Sequence, residues 1–214
     1  MPETIFMWST PRKKIIRQLK TMSKTILVGD SGSGKTTLIE KLATGTFDPM
    51  TTATIGVDYK VFTDTYGRKV KAWDTAGAER FRAVMSLYYR GADFCLLVFD
   101  ASRQLGMRSV SRWASEVRLH APECRMFLIG NKIDREQRAC DTAGAVELAK
   151  ELGFVGVAFT SGKHMPAQEI KRMIQPLFDV EREDFVDDNK RAPLLGGIEL
   201  HHCEEYERSS RCCV

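Results

Sequence analysis

The run Gly29-Asp30-Ser31-Gly32-Ser33-Gly34-Lys35-Thr36 carries the densest chemical signal in the chain. It fits G-x-x-x-x-G-K-[ST], a loop that cradles phosphate. Glycines at 29, 32 and 34 let the backbone take positive φ and approach a ligand closely. The N–H groups from Ser31 through Gly32, Ser33, Gly34, Lys35 and Thr36 to Thr37 then form an anion nest at a helix start, where the dipole also favours negative charge. Lys35 is placed to reach the outer phosphates, and the Thr36 hydroxyl to ligate Mg²⁺.

A loop of this kind needs a strand before it and a helix after it. Thr25-Ile26-Leu27-Val28 supplies the first, and Leu38, Ile39 and Leu42 pattern the second. Strands are predicted over 25–29, 56–62, 69–73, 94–99, 126–130 and 155–159, and helices over 35–44, 80–89, 107–119, 141–152 and 166–178. The runs 94–99 and 126–129 are apolar on both faces, as strands buried between helices must be. The runs 56–62 and 69–73 flank Tyr66-Gly67 and read as an antiparallel hairpin. The expected fold is α/β: a doubly wound, mostly parallel six-stranded sheet with one antiparallel edge strand and ligands at its carboxyl edge.

With 214 residues and a net charge of +4, the chain suits one substantial domain with tails. The expected division is a flexible basic extension over 1–23, a nucleotide-binding domain over 24–180 and a variable tail over 181–214. The charge is concentrated early: Arg12, Lys13, Lys14, Arg17, Lys20 and Lys24 face only Glu3. The near-neutral remainder argues against a nucleic-acid-binding core. The extension reads as a solvated arm, as a helix lying on an anionic membrane through Ile15, Ile16, Leu19 and Met22, or as a presequence. No apolar run reaches the roughly 18–20 residues needed to span a bilayer. Six cysteines without a C-x-x-C pair point away from zinc and toward free thiols in a reducing compartment. The His201-His202-Cys203 cluster reads as solvated tail.

Further motifs follow the later strands. Asn131-Lys132-Ile133-Asp134 fits N-K-x-D: the Asp134 carboxylate accepts from the ring N–H and exocyclic amine that guanine, unlike adenine, presents together. Lys132 lies along the base and Asn131 ties this loop to the phosphate loop. Asp74-Thr75-Ala76-Gly77 fits D-x-x-G, with Asp74 toward Mg²⁺ through water and the Gly77 N–H toward a γ-phosphate. With Ile55-Gly56-Val57-Asp58-Tyr59, Trp73, Arg80-Phe81-Arg82 and Tyr88-Tyr89-Arg90-Gly91-Ala92, the chain over roughly 24–180 resembles a Rab-type small GTPase of the Ras superfamily.

The resemblance implies a monomeric GTP hydrolase that cycles between GTP and GDP with Mg²⁺ and regulates vesicle traffic. Thr54, nineteen residues after Lys35, matches the threonine that completes the metal shell only when a γ-phosphate is present, so that hydrolysis releases its loop. Phe47 matches the aromatic against the base, and Ser161-Gly162-Lys163 the last guanine contact, with Gly162 where the family has alanine. Implied partners are effectors, an exchange factor, a GTPase-activating protein and a prenyl-binding escort or GDP dissociation inhibitor. The paired Cys212 and Cys213 match double geranylgeranylation, which would anchor the protein on the cytoplasmic face of an intracellular membrane, cycling with cytosol.

Two departures matter. Ala78 stands where the family has the glutamine that orients the attacking water, so the catalytic set reads as Lys35, Thr54 and a deficient position 78. Slow intrinsic hydrolysis is expected, although activating proteins of the TBC type bring their own arginine and glutamine. The alternative is a constitutively GTP-bound effector-binding module; an ATP-using kinase is disfavoured by Asp134. The twenty residues from Thr54 to Asp74 are two or three fewer than usual, which shortens the edge hairpin.

Overall fold

A computed structural model describes residues 5–7, 23–50, 54, 56–75, 82–135 and 140–179, with side chains for the same set except 5–7 and 82–85. All of these fall within one compact unit, Met1–Glu181. In chain order the elements are β1 (Ile5–Met7), β2 (Ser23–Val28), α1 (Lys35–Thr44), β3 (Val57–Thr63), β4 (Lys69–Thr75), α2 (Arg82–Tyr89), β5 (Phe94–Asp100), α3 (Val110–His120), β6 (Arg125–Asn131), α4 (Thr142–Glu151), β7 (Gly156–Thr160) and α5 (Ala167–Asp179). The sheet order is β1-β7-β6-β5-β2-β4-β3. The expected six strands form a mostly parallel sheet, with β3 antiparallel to β4 at one edge.

A seventh strand lies at the other edge, where β1 pairs antiparallel with β7, Phe6 opposite Val157. Three residues with no turn signal beside them carry no readable period, so the sequence gives no warning of it. α3 begins at Val110 rather than 107, because 107–109 complete a turn in which the Val110 N–H meets the Met107 carbonyl.

The central strands are buried on both faces, and their alternation divides the core. On β5, Cys95, Leu97 and Phe99 pack with α2, α3 and α4 through Tyr89, Trp113, Val117 and Ala149. Phe94, Leu96 and Val98 pack with α1 and α5 through Leu38, Ile39, Ile174 and Phe178. Cys95, Cys124 and Cys140 are free thiols. Burial pushes Cys95 well above the ordinary thiol value, Cys124 up to about 12 and Cys140 up to about 11. Among the described residues, no helix is long and apolar enough to cross a membrane.

The β3–β4 hairpin is locked at its tip. The Asp64 carboxylate accepts from the Tyr66 and Arg68 N–H groups at 2.9 Å and from the Arg68 guanidinium at 2.5 Å. Arg68 continues to Asp179 at 2.9 Å, and Gln175 donates to both Asp64 and Asp179, which ties the turn to the end of α5. Burial alone would raise the Asp64 carboxyl; the Arg68 and Tyr66 donors outweigh it and hold it below its ordinary 3.8. The folded state therefore gains stability from the ionised form above pH 3.8 and loses it as pH falls through the lower folded value. Asp64→Asn is expected to cost about 1–3 kcal/mol at pH 7, with the gap to wild type narrowing at pH 3, read from urea midpoints.

Candidate functional site

The carboxyl ends of β2, β4, β5, β6 and β7 lie along one edge of the sheet, and the candidate residues leave from them. After β2 the loop turns through Gly29 (φ 137°), Gly32 (φ 75°) and Gly34 (φ 95°) into α1. Gly34 is required twice over: its φ is left-handed, and a Cβ there would lie 2.3 Å from the Asn131 amide nitrogen. Lys35 is 5% exposed and donates to the Gly29 and Asp30 carbonyls, each at 2.9 Å. Burial pushes its ammonium down to about 8, against the raising charges of Asp74 and Asp30. The buried Ser33 hydroxyl has no hydrogen-bond partner, Ser31 and Gly32 are exposed at the loop's tip, and Thr37 is half-buried.

Thr36, Thr54 and Asp74 come together from three segments. The Thr36 hydroxyl donates to Asp74 Oδ2 at 2.6 Å, the Thr54 hydroxyl to the same oxygen at 3.1 Å, and the two hydroxyls lie 2.8 Å apart. Asp74 is buried, and its Oδ1 has no hydrogen-bond partner. Burial raises its carboxyl despite Thr36, Lys35 and Thr54. An orphaned carboxylate oxygen beside two hydroxyls is a hard-oxygen set that fits Mg²⁺. No group of three or more His, Cys, Asp or Glu side chains suited to a metal occurs among the described residues, so hydroxyls are needed to complete this one.

Asn131, 2% exposed, ties three loops. Its amide donates to the Ser33 carbonyl at 3.1 Å, while its Oδ1 accepts from the Gly162 N–H at 3.1 Å and the Thr160 hydroxyl at 3.3 Å. The Ser161 hydroxyl donates to Asp134 Oδ1 at 2.6 Å and accepts from the His164 N–H. Lys132 takes φ 68°, a costly value for a residue with a Cβ. Its ammonium donates to the Gly32 carbonyl and, at 2.8 Å, to Asp100 Oδ2. Asp134 and Lys163 are exposed, and Phe47 is half-buried after α1.

Asp100 was not marked by any sequence pattern. It closes β5, is 7% exposed and accepts from Ser102 as well as Lys132. Burial opposes its ionisation, but Lys132 and Ser102 outweigh it and hold the carboxyl below the ordinary range. Its partner lies 32 residues away, so only the parallel pairing of β5 with β6 reveals it. Gly77, Ala78, Cys212 and Cys213 lie outside the described residues.

Beside the site, Trp73 stands between Tyr59 and Tyr88, with ring centroids 5.3 and 5.7 Å away. The Lys71 ammonium lies 4.1 Å from the Tyr59 ring and 4.7 Å from Trp73. Tyr59 is 51% exposed, so this cationic and aromatic surface faces solvent.

Residues 24–178 match the Ras family model. Ras-related protein SEC4 of Saccharomyces cerevisiae is 34% identical over 201 residues, covering 90% of this chain and 92% of the relative. Ras-related protein RABA3 of Arabidopsis thaliana is 35% identical over 209 residues, covering 89% and 88%. Ras-related protein Rab-8B of Dictyostelium discoideum is 41% identical over 136 residues, covering 61% and 67%. The chain belongs to the Ras family and is a Rab-type small GTPase.

Proposed function

We propose that this protein is a guanine-nucleotide switch in intracellular vesicle traffic, binding effectors in its GTP form and hydrolysing GTP slowly by itself. The carrying observation is the Asn131 knot, which joins the phosphate loop at Ser33 to the Asp134 and Ser161–Gly162 segments. These bonds support reading the two segments together, one as the phosphate cradle and the other as the carrier of the guanine-reading carboxylate. The glycine-loop N–H groups and Lys35 bind the phosphates; Asp134, Lys132 and the Ser161-Gly162-Lys163 segment take the base; Phe47 packs beside it. Thr36, Thr54 and Asp74 are suited to hold Mg²⁺, which when bound neutralises charge on the β- and γ-phosphate oxygens. Thr54 contributes to that corner from the first switch segment, and the sequence motif assigns contact with the third phosphate to Gly77 in the second. Loss of that phosphate removes what orders both, and the Tyr59–Trp73–Tyr88 surface alongside is the face an effector reads.

Guanine selection rests on Asp134. Wild-type protein purified from cells should carry GDP or GTP and no adenine nucleotide, by chromatography of the released ligand. Asp134→Ala is expected to weaken GDP binding on the order of 10³-fold or more, because guanine's paired donors lose their acceptor. An adenine nucleotide in the wild-type extract would overturn the assignment.

Ala78 underlies the slow hydrolysis and keeps open the alternative of a constitutively GTP-bound binding module, because a methyl group cannot orient water. Single-turnover GTP decay should be slow in the wild type, and Ala78→Gln should quicken it by roughly tenfold or more. Equal rates would show that position 78 is not the limit. Decay that stays negligible even with an activating protein would select the constitutive binding module.

Membrane residence is assigned to lipid on Cys212 and Cys213, since two chains anchor stably where one is marginal. A tagged wild-type chain should sediment with membranes. The Cys212→Ser/Cys213→Ser double variant should remain in the soluble fraction; continued sedimentation would move the anchor elsewhere.

A further inference from the structure

Ser109 occupies the N-cap of α3, where a serine ordinarily accepts from its own helix's N–H groups. It makes no such bond. Its hydroxyl donates instead to Asp30 Oδ2, 2.5 Å away and 79 residues distant in sequence. Trp113, one turn further and 2% exposed, donates its indole N–H to Asp30 Oδ1 at 2.8 Å. The Arg112 guanidinium lies 3.6 Å from that oxygen. Asp30 is the second residue of the phosphate loop, and its backbone faces the chemistry: the carbonyl accepts from the Lys35 ammonium at 2.9 Å and from the Ser33 N–H at 3.2 Å. Trp113 is held in turn by the core cluster that contains Ile26 and Val28 of β2, the strand leading into the loop.

From this geometry we propose that Ser109 and Trp113 are positioning residues for the phosphate loop, holding it through Asp30 in the conformation that accepts a β-phosphate. The proposal rests on the guanine-nucleotide reading above. A loop with glycines at 29, 32 and 34 samples many backbone states, and apparent affinity falls in proportion to the fraction that is competent. Two donors and a nearby guanidinium on one carboxylate restrict that freedom without entering the cradle. They also aim Lys35, because the carbonyl that receives its ammonium belongs to the braced residue. α3 packs against α2, the helix after the D-x-x-G segment, so displacement of α2 has a short path to the phosphate loop.

The full chain, stripped of nucleotide, is titrated with GDP and with GMP, which lacks the β-phosphate. Trp113→Phe keeps a buried ring and deletes one charge-assisted donor; it should weaken GDP binding about tenfold and leave GMP binding unchanged. Ser109→Ala, which leaves the core ring in place, should give the same pattern at about threefold, and decides the matter if Trp113→Phe fails to fold. Unchanged GDP affinity in a folded variant overturns the proposal. Equal weakening of GDP and GMP also overturns it, since that is the mark of a general structural loss. A wild-type chain that binds neither nucleotide overturns the guanine reading itself.

Discussion

Everything at the carboxyl edge of this sheet depends on how one buried carboxamide is satisfied. Asn131 is 2% exposed, so its amide nitrogen and oxygen must find their partners inside the fold. Those atoms pair with the Ser33 carbonyl, the Gly162 N–H and the Thr160 hydroxyl. An unpaired amide in such a place is expensive, so the three loops cannot drift apart independently. The constraint also explains Gly34: the loops approach so closely that no side chain fits between Gly34 and the Asn131 amide. The doubly wound sheet serves this meeting by delivering five strand ends to one edge.

Much of this was legible in the sequence because local chemistry and local structure agree there. The apolar run of β5 is buried on both faces, as parallel strands require, and Gly67 turns the hairpin with φ 78° as its place between two alternating runs implies. The phosphate loop is written in eight contiguous residues. The Thr36–Thr54–Asp74 corner spans 38 positions but was reachable, since Thr36 and Asp74 fall in motifs and Thr54 sits at the family's spacing from Lys35.

What was not legible is long-range pairing without a motif. Asp100 is an ordinary acidic residue at a strand end until β6 lays Lys132 beside it. Trp113 reads as one more apolar residue on a helix face; its indole N–H finds Asp30 only when α3 is folded against the sheet at β5. β1 is too short to carry a pattern, and its pairing is decided by the open edge of β7. Lys132 in a left-handed conformation is likewise a tertiary outcome, held there by the two acceptors its ammonium reaches.

The burial of the thiols has a chemical consequence for the whole protein. Cys95, Cys124 and Cys140 all have their ionisation suppressed, so at neutral pH almost none of the sulphur among the described residues exists as nucleophilic thiolate. These three thiols are therefore slow to react with electrophiles at neutral pH. Thiol-directed labelling at neutral pH is thus disfavoured at Cys95, Cys124 and Cys140, which leaves the packing around Cys95 and Cys124 undisturbed.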